Sequence, residues 1–299
     1  MLDWPPETVM EKNAVQPWYQ AGSNQVLDFH GDPLKAELVV FSDGNHHMAL
    51  RDALKAFYQR HPRLSDIFYA TTPPYPIVKL LQEGAIRIGN LTLSVQPHVF
   101  IGPPHVLDRL QILGHIKSHV GLAKNQGSVL LIPRDNPKNI RALQDLMRRD
   151  VRLFISNPET ERTSYNGYRT TLESMVGSQG LNLDAFCAAV FDRTAVYGQC
   201  IHHREAPEAI ANGQADVAIV YYHLAMRYKR LFPDQFDMIP LGGSEQNPIP
   251  PLENLTNRIH MGLVGNGGTW GEPFMTFMQG DSVGHIYEHH GLIPIVNEF

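Results

Sequence analysis

Three consecutive side chains, Arg162, Thr163 and Ser164, put a guanidinium fork and two hydroxyls ahead of a helix-forming stretch. Arginine offers parallel N–H donors to a carboxylate or phosphate. A helix start adds free backbone N–H groups and the positive end of the helix dipole. Together these are groups for holding a small anion. The pattern recurs along the chain. Ser42-Asp43-Gly44-Asn45-His46 stands between an apolar run and a helix, Thr71-Thr72 stands before another helix, and His203-Arg204 leads into a third. Tyr221-Tyr222 closes an unbroken apolar run. With the histidine pairs it permits a different chemistry, ligation of a ferric or other metal ion. Each feature has a plainer alternative: a serine before a helix is often only its N-cap, and an arginine there is a solvated charge. Covalent catalysis has no candidate residue. There is no G-x-S-x-G, no P-loop and no cysteine paired with a motif histidine, so the chain reads as a binding protein and not an enzyme.

The elements that must position these residues follow from periodicity. Apolar runs at 37–41, 66–70, 99–101, 128–133, 151–155, 217–220, 236–240 and 258–264 read as strands. Leu50, Ala53, Leu54 and Phe57 fall on one face of a helix. Residues 77–81 open another helix after a proline-rich loop at 71–76. Val106, Leu107, Leu110 and Leu113 mark a third, and Ile140, Leu143, Leu146 and Met147 a fourth. Leu183, Phe186 and Val190 mark a fifth. Glu205 and Pro207 suit the first turn of a short helix closed by Gly213. Two more helices, around Phe274, Phe277 and Met278 and around Val283 and Ile286, end the chain. Strands alternating with helices predict an α/β fold, and in open α/β sheets ligands collect at the carboxyl ends of strands.

Composition narrows the function. The 299 residues are 43% hydrophobic, enough for one large or two medium cores. The net charge is -5 and no Lys/Arg stripe appears, which excludes nucleic acid as a partner. No apolar run approaches the roughly 18 residues of a membrane span, so the chain is not membrane-spanning. The two cysteines, Cys187 and Cys200, lack metal-site spacing, and their spacing alone leaves a disulfide open. Residues 1–35 show no steady period and read as an extension anchored by Trp4, Trp18 and Tyr19.

The order helix, Gly213-Gln214-Ala215-Asp216, apolar strand, Tyr221 resembles a segment of type II periplasmic solute-binding proteins, nearest to the molybdate-binding branch and its organic-anion-binding relatives. Leu130 to Lys138, the loop from Asn157 to Tyr168, and the ending Ile286 to Pro294 are similar to that family's segments at the same places, so the resemblance runs from about 37 to 294. It implies a two-lobed type II periplasmic binding protein fold, α/β, with two crossovers and a ligand cleft between the lobes. Residues 36–126 with 258–299 would form lobe one and 127–257 lobe two. It implies an exported, periplasmic protein whose leader has been removed, needing no cofactor, that hands a small anionic ligand to a membrane ABC permease. The best one-to-one matches are Asn45, His203 and Tyr221. The expected ligand contacts are Ser42, Asn45, His46, Thr72, Arg162, Thr163, Ser164, His203, Arg204 and Tyr221. The chain departs from the molybdate branch where Asn45 replaces a serine and prolines fill the second loop. With Arg162 and Arg204 nearby, the ligand is expected to be an organic or phosphorylated acid, with a molybdate-like oxyanion still open. The adjacent tyrosines also resemble those of ferric-ion-binding members, the alternative function.

Overall fold

The computed structural model describes residues 2, 28–71, 74–88, 91–199 and 201–295. The chain forms two compact units. One ends at Lys124 and resumes at Arg258, and the other is Asn125–Asn257. The expected anchors Trp4, Trp18 and Tyr19, with Thr72 and Cys200, lie outside the described residues.

The first unit opens with β1 (Asp28–His30), β2 (Leu38–Ser42), α1 (His47–Arg60), β3 (Ile67–Thr71), α2 (Pro74–Glu83), β4 (Ile86–Ile88), β5 (Leu91–Leu93), β6 (Val99–Gly102), α3 (Pro104–Ile112) and β7 (Ile116–Lys124). The second unit contains β8 (Ser128–Pro133), β9 (Leu153–Ile155), α4 (Arg162–Ser178), α5 (Leu183–Val190), β10 (Val196–Tyr197), α6 (His202–Ala211), β11 (Val217–Tyr221), α7 (Tyr222–Leu231) and β12 (Phe236–Pro240). The chain then returns to the first unit as β13 (Arg258–Val264), α8 (Gly271–Met278), α9 (Asp281–His289) and β14 (Ile293–Pro294).

The sheet of the first unit has the order β1-β3-β2-β6-β13-β7-β14. β2 runs parallel to β3 and β6, while β13 is antiparallel to β6 and β7. Alternation along β2 splits the core: Leu38 and Val40 face α1, α8 and α9, whereas Val39 and Phe41 face α2 and α3. The predicted face of α1 is buried, and Phe57 sits at its centre, in edge contact with Trp270 and Phe274. The sheet of the second unit has the order β10-β9-β11-β8-β12. Its β11 is buried along its whole length between parallel β9 and antiparallel β8, as an unbroken apolar run requires.

Several elements differ from the periodicity reading. α2 begins at Pro74, inside the expected loop, because prolines in a first turn lose no intrahelical bond. The fourth expected helix is only a 3-10 turn, Leu143–Met147. There the Asp145 carboxylate takes the N–H groups of Arg141 and Ala142, and Arg148 is extended. α6 begins at His202, so Pro207 is interior and not in the first turn. Its missing N–H frees the His203 carbonyl, and the Tyr228 hydroxyl donates to that oxygen instead. Gly213, at φ 65°, closes α6 as expected. β7, α7 and the β4–β5 hairpin were not marked by the sequence reading, and β1 pairs antiparallel with β3 from within the expected extension.

Candidate functional site

The anion-type groups of the second unit gather where β9 leads into α4. Glu161 is the N-cap of this 17-residue helix, so Arg162, Thr163 and Ser164 are its first three residues, and Ser164 is not the cap. The first helical bond runs from Tyr165 N to Glu161 O at 2.9 Å. Among the described residues, the N–H groups of Arg162, Thr163 and Ser164 therefore meet no acceptor, and no acidic side chain lies in the first turn. Arg162 and Thr163 are exposed, while the Ser164 hydroxyl donates back to Glu161 O at 3.1 Å. Two serines that the sequence reading missed lie at the same ends of the strands. Ser156 directly follows β9, and Ser128 pairs with Tyr221 across β8 and β11. Both are buried with hydroxyls that meet no hydrogen-bond partner among the described residues. Nothing in a sequence marks such a serine, because the signal is a missing partner in space.

The start of α6 is different. Its donors are already taken by the protein's own carboxylates. Glu161 Oε1 accepts from His202 N–H at 2.9 Å, and Glu205 accepts from Gln199 N–H at 2.6 Å and Ile201 N–H at 3.3 Å. Burial raises the Glu161 carboxyl above its usual range, and the Glu205 charge adds to this, while the His202 N–H opposes it. His203 and Arg204 are half-buried beside this turn. The His202 ring is buried and donates through Nε2 to Ile219 O at 2.7 Å; burial lowers its pKa to about 4, so it is neutral at pH 7. Tyr221 is buried, packs against Tyr168, and its hydroxyl accepts from Asn257 Nδ2 at 2.8 Å. Tyr222 begins α7, and its hydroxyl donates to Glu245 O at 2.8 Å. The two phenols are thus committed to different partners.

In the first unit the loop between β2 and α1 is fixed by a buried chain. Ser42 donates to Asp43 O at 3.0 Å, so His46 Nε2–H donates to Ser42 Oγ at 2.8 Å and His46 Nδ1 accepts from the Tyr287 hydroxyl at 2.9 Å. Ser42 and His46 are fully buried. Their side chains shape this loop, while Asn45 stands exposed at its tip. Asp43 was read only as a turn residue. Its Oδ1 accepts the Asn45 N–H at 3.0 Å, and burial pushes its pKa up to about 6 against that bond. Thr71, beside Ser42 at the end of β3, has a buried hydroxyl without a partner among the described residues.

Three other histidines and the described cysteine have partners of their own. His290 meets Asp52 at 2.8 Å, and His119 meets His260 and Asp108 at 2.9 and 3.0 Å. Among the described residues no three His, Cys, Asp or Glu side chains are grouped to hold a metal ion. Cys187 is a free thiol whose Sγ lies 3.5 Å from Glu173. Among the described residues no helix is long and apolar enough to cross a membrane.

The family profile described as "Bacterial extracellular solute-binding protein" matches residues 38–293. A curated relative, the uncharacterized protein YvgK of Bacillus subtilis, is 29% identical over 122 residues, which is 39% of this chain and 35% of that protein. The chain thus matches about a third of that relative's length. Among solved structures, PEB3 of Campylobacter jejuni with L-phospholactate bound superposes with a TM-score of 0.59 at 14% identity, covering 86% of this chain and 99% of that one. The periplasmic molybdate-binding protein of Azotobacter vinelandii gives 0.59 at 17% identity, covering 88% and 100%. Likenesses at this identity establish the type II periplasmic binding protein fold.

Proposed function

This chain belongs to the bacterial extracellular solute-binding protein family, and from that premise we propose that it is the periplasmic receptor for a small anion, an organic or phosphorylated acid, which it passes to a membrane ABC permease. It binds its ligand and does not transform it. The observation that carries the reading is the start of α4, with three backbone N–H groups that meet no acceptor among the described residues and the exposed Arg162 in the same turn. A 17-residue helix presents about half a positive charge there. Thr163 and Ser164 add hydroxyls, and Tyr221, His203 and Arg204 flank the seat on the same unit. Charge-assisted hydrogen bonds are worth roughly 1.5–3 kcal/mol each. Four or five of them, less the costs of ordering, reach the roughly −8 kcal/mol of a micromolar complex.

The test is thermal melting of EDTA-treated protein against oxyanions, di- and tricarboxylates, phosphorylated acids, Fe(III) and Zn(II), followed by calorimetry on Arg162→Ala. A native-state ligand at a hundredfold excess over its Kd stabilises by about 2.7 kcal/mol. The reading expects a shift with one anion class, and a tenfold or greater loss of affinity in Arg162→Ala without loss of fold. A shift with metal alone, or anion affinity untouched by that substitution, would refute it.

A further inference from the structure

His119 and His260 stand 141 residues apart in the chain, and the sheet of the first unit brings their rings together. They lie on neighbouring strands, β7 and β13, at diagonal positions of the register. His119 is opposite Gly262 and His260 is opposite Gly121, so neither histidine faces a side chain directly across the ladder. The register also slips between Ile259 and His260, and an irregularity of this kind re-aims a side chain. The two Nδ1 atoms meet at 2.9 Å, with the ring planes 60° apart. On the other edge of the His119 ring, Nε2 lies 3.0 Å from Asp108 Oδ1 of α3.

These contacts place the hydrogens. A carboxylate only accepts, so neutral His119 carries its hydrogen on Nε2 and donates it to Asp108. Its Nδ1 is then a bare lone pair, to which His260 Nδ1–H donates. A carboxylate behind one imidazole is also the device that sets the tautomer and direction of a metal-bound histidine. A cation can take the place of the shared hydrogen, with the His260 proton passing to its own Nε2. Two nitrogens in adjacent positions, each about 2.0 Å from an ion, stand about 2.8 Å apart in a square-planar field and about 3.3 Å apart in a tetrahedral one. The observed 2.9 Å matches the first. Solvent reaches the pair, since the side chain of His119 is 13% exposed and that of Asp108 61%. We propose that His119 Nδ1 and His260 Nδ1 form a two-histidine site for a divalent ion that favours nitrogen ligands in a square plane, Cu(II) or Ni(II), with water in its other positions and Asp108 as the positioning residue. The protein supplies two ligands and not three, because Asp108 stands behind the ring. The site lies on the first unit and calls on none of the α4 residues, so it stands apart from the anion reading. The loaded ion ties β7 to β13.

Cu(II) is the probe, titrated into the full chain after EDTA treatment and desalting. Calorimetry is expected to show one equivalent bound with a micromolar Kd, and the electron paramagnetic resonance spectrum of that equivalent to show coupling to two imidazole nitrogens. In His119→Asn, and separately in His260→Asn, the affinity should fall at least tenfold and one nitrogen should disappear from the spectrum. Asp108→Ala should keep both nitrogens and the melting temperature of the metal-free protein while weakening Cu(II) by about tenfold. The spectrum of the unaltered protein needs no variant to fold. Absence of binding below millimolar Cu(II), a tight equivalent with fewer than two nitrogens, or a tight equivalent retained in both histidine variants would each overturn the site. Unchanged affinity in Asp108→Ala would overturn the role given to Asp108.

Discussion

Asp43→Asn is expected to make the protein more stable at pH 8 and to leave it unchanged at pH 3.5. The Asp43 carboxyl is buried at the ends of β2 and β6. It has one backbone donor, the Asn45 N–H, and Tyr287 and His46 are its neighbours in the buried chain. Its pKa stands at about 6 in the folded chain against 3.8 for an unperturbed aspartate. Between those values the folded chain holds a proton that the unfolded chain has released, so ionisation above pH 6 falls as a cost on the folded state alone. That gap corresponds to about 3 kcal/mol, absent below pH 3.8 and complete above pH 6. Asparagine keeps an oxygen for the Asn45 N–H and carries no charge. For a unit of this size the gain at pH 8 is a rise in melting temperature of about 5–10 °C. Urea unfolding of both proteins at half-unit steps from pH 3.5 to 8 measures the difference directly. A variant less stable than the parent at pH 8, or a difference that does not grow from pH 4 to 6, would refute the reasoning.

His202 predicts the opposite slope. Its pKa of about 4 lies below the ordinary 6.5, so it stabilises the folded chain above pH 6.5 and that contribution is lost as the pH falls toward 4; His202→Gln should flatten the acid limb of the unfolding profile by up to about 3 kcal/mol. Tyr228→Phe should cost about 1–3 kcal/mol by orphaning the His203 carbonyl. Pro207→Ala in the same chain should recover part of it by restoring the helical N–H, and a double-mutant cycle without coupling would reject that account. Phe57→Ala, emptying the centre of the core that α1, α8 and α9 share, should cost about 3–5 kcal/mol in chemical denaturation.

Long elements with a clean period were legible in the sequence. The α1 face and the β11 run depend on burial alone, and burial is what an apolar pattern records. α7 escaped because the chain passes from β11 into the helix between Tyr221 and Tyr222 with no turn residue to announce it. β7 carries Lys117, Ser118, His119 and Gly121, too mixed to read as a strand. At the site, the residue types at the start of α4 were legible, but the cap was displaced. Glu161 takes that position, and its carboxylate turns to α6. Ser128 and Ser156 stand out by hydroxyls that meet no partner among the described residues, and composition and spacing are silent on that.

The Asn125 N–H donates to Asn257 O at 3.0 Å, and the Asn257 N–H returns to the Asn125 side chain at 2.9 Å. The entrance and exit of the second unit are therefore stapled to one another. In the first unit, Lys124 and Arg258 face each other as neighbours on β7 and β13. A tight hairpin turn of about two residues would splice those strands directly. The gene thus has the layout of a cassette: residues 125–257 can be lifted out as one block with adjoining ends, and the host can be resealed by a turn. Laboratory recombination, or natural exchange among relatives, could replace the whole α4 and α6 face in a single step without rebuilding the sheet that carries α1.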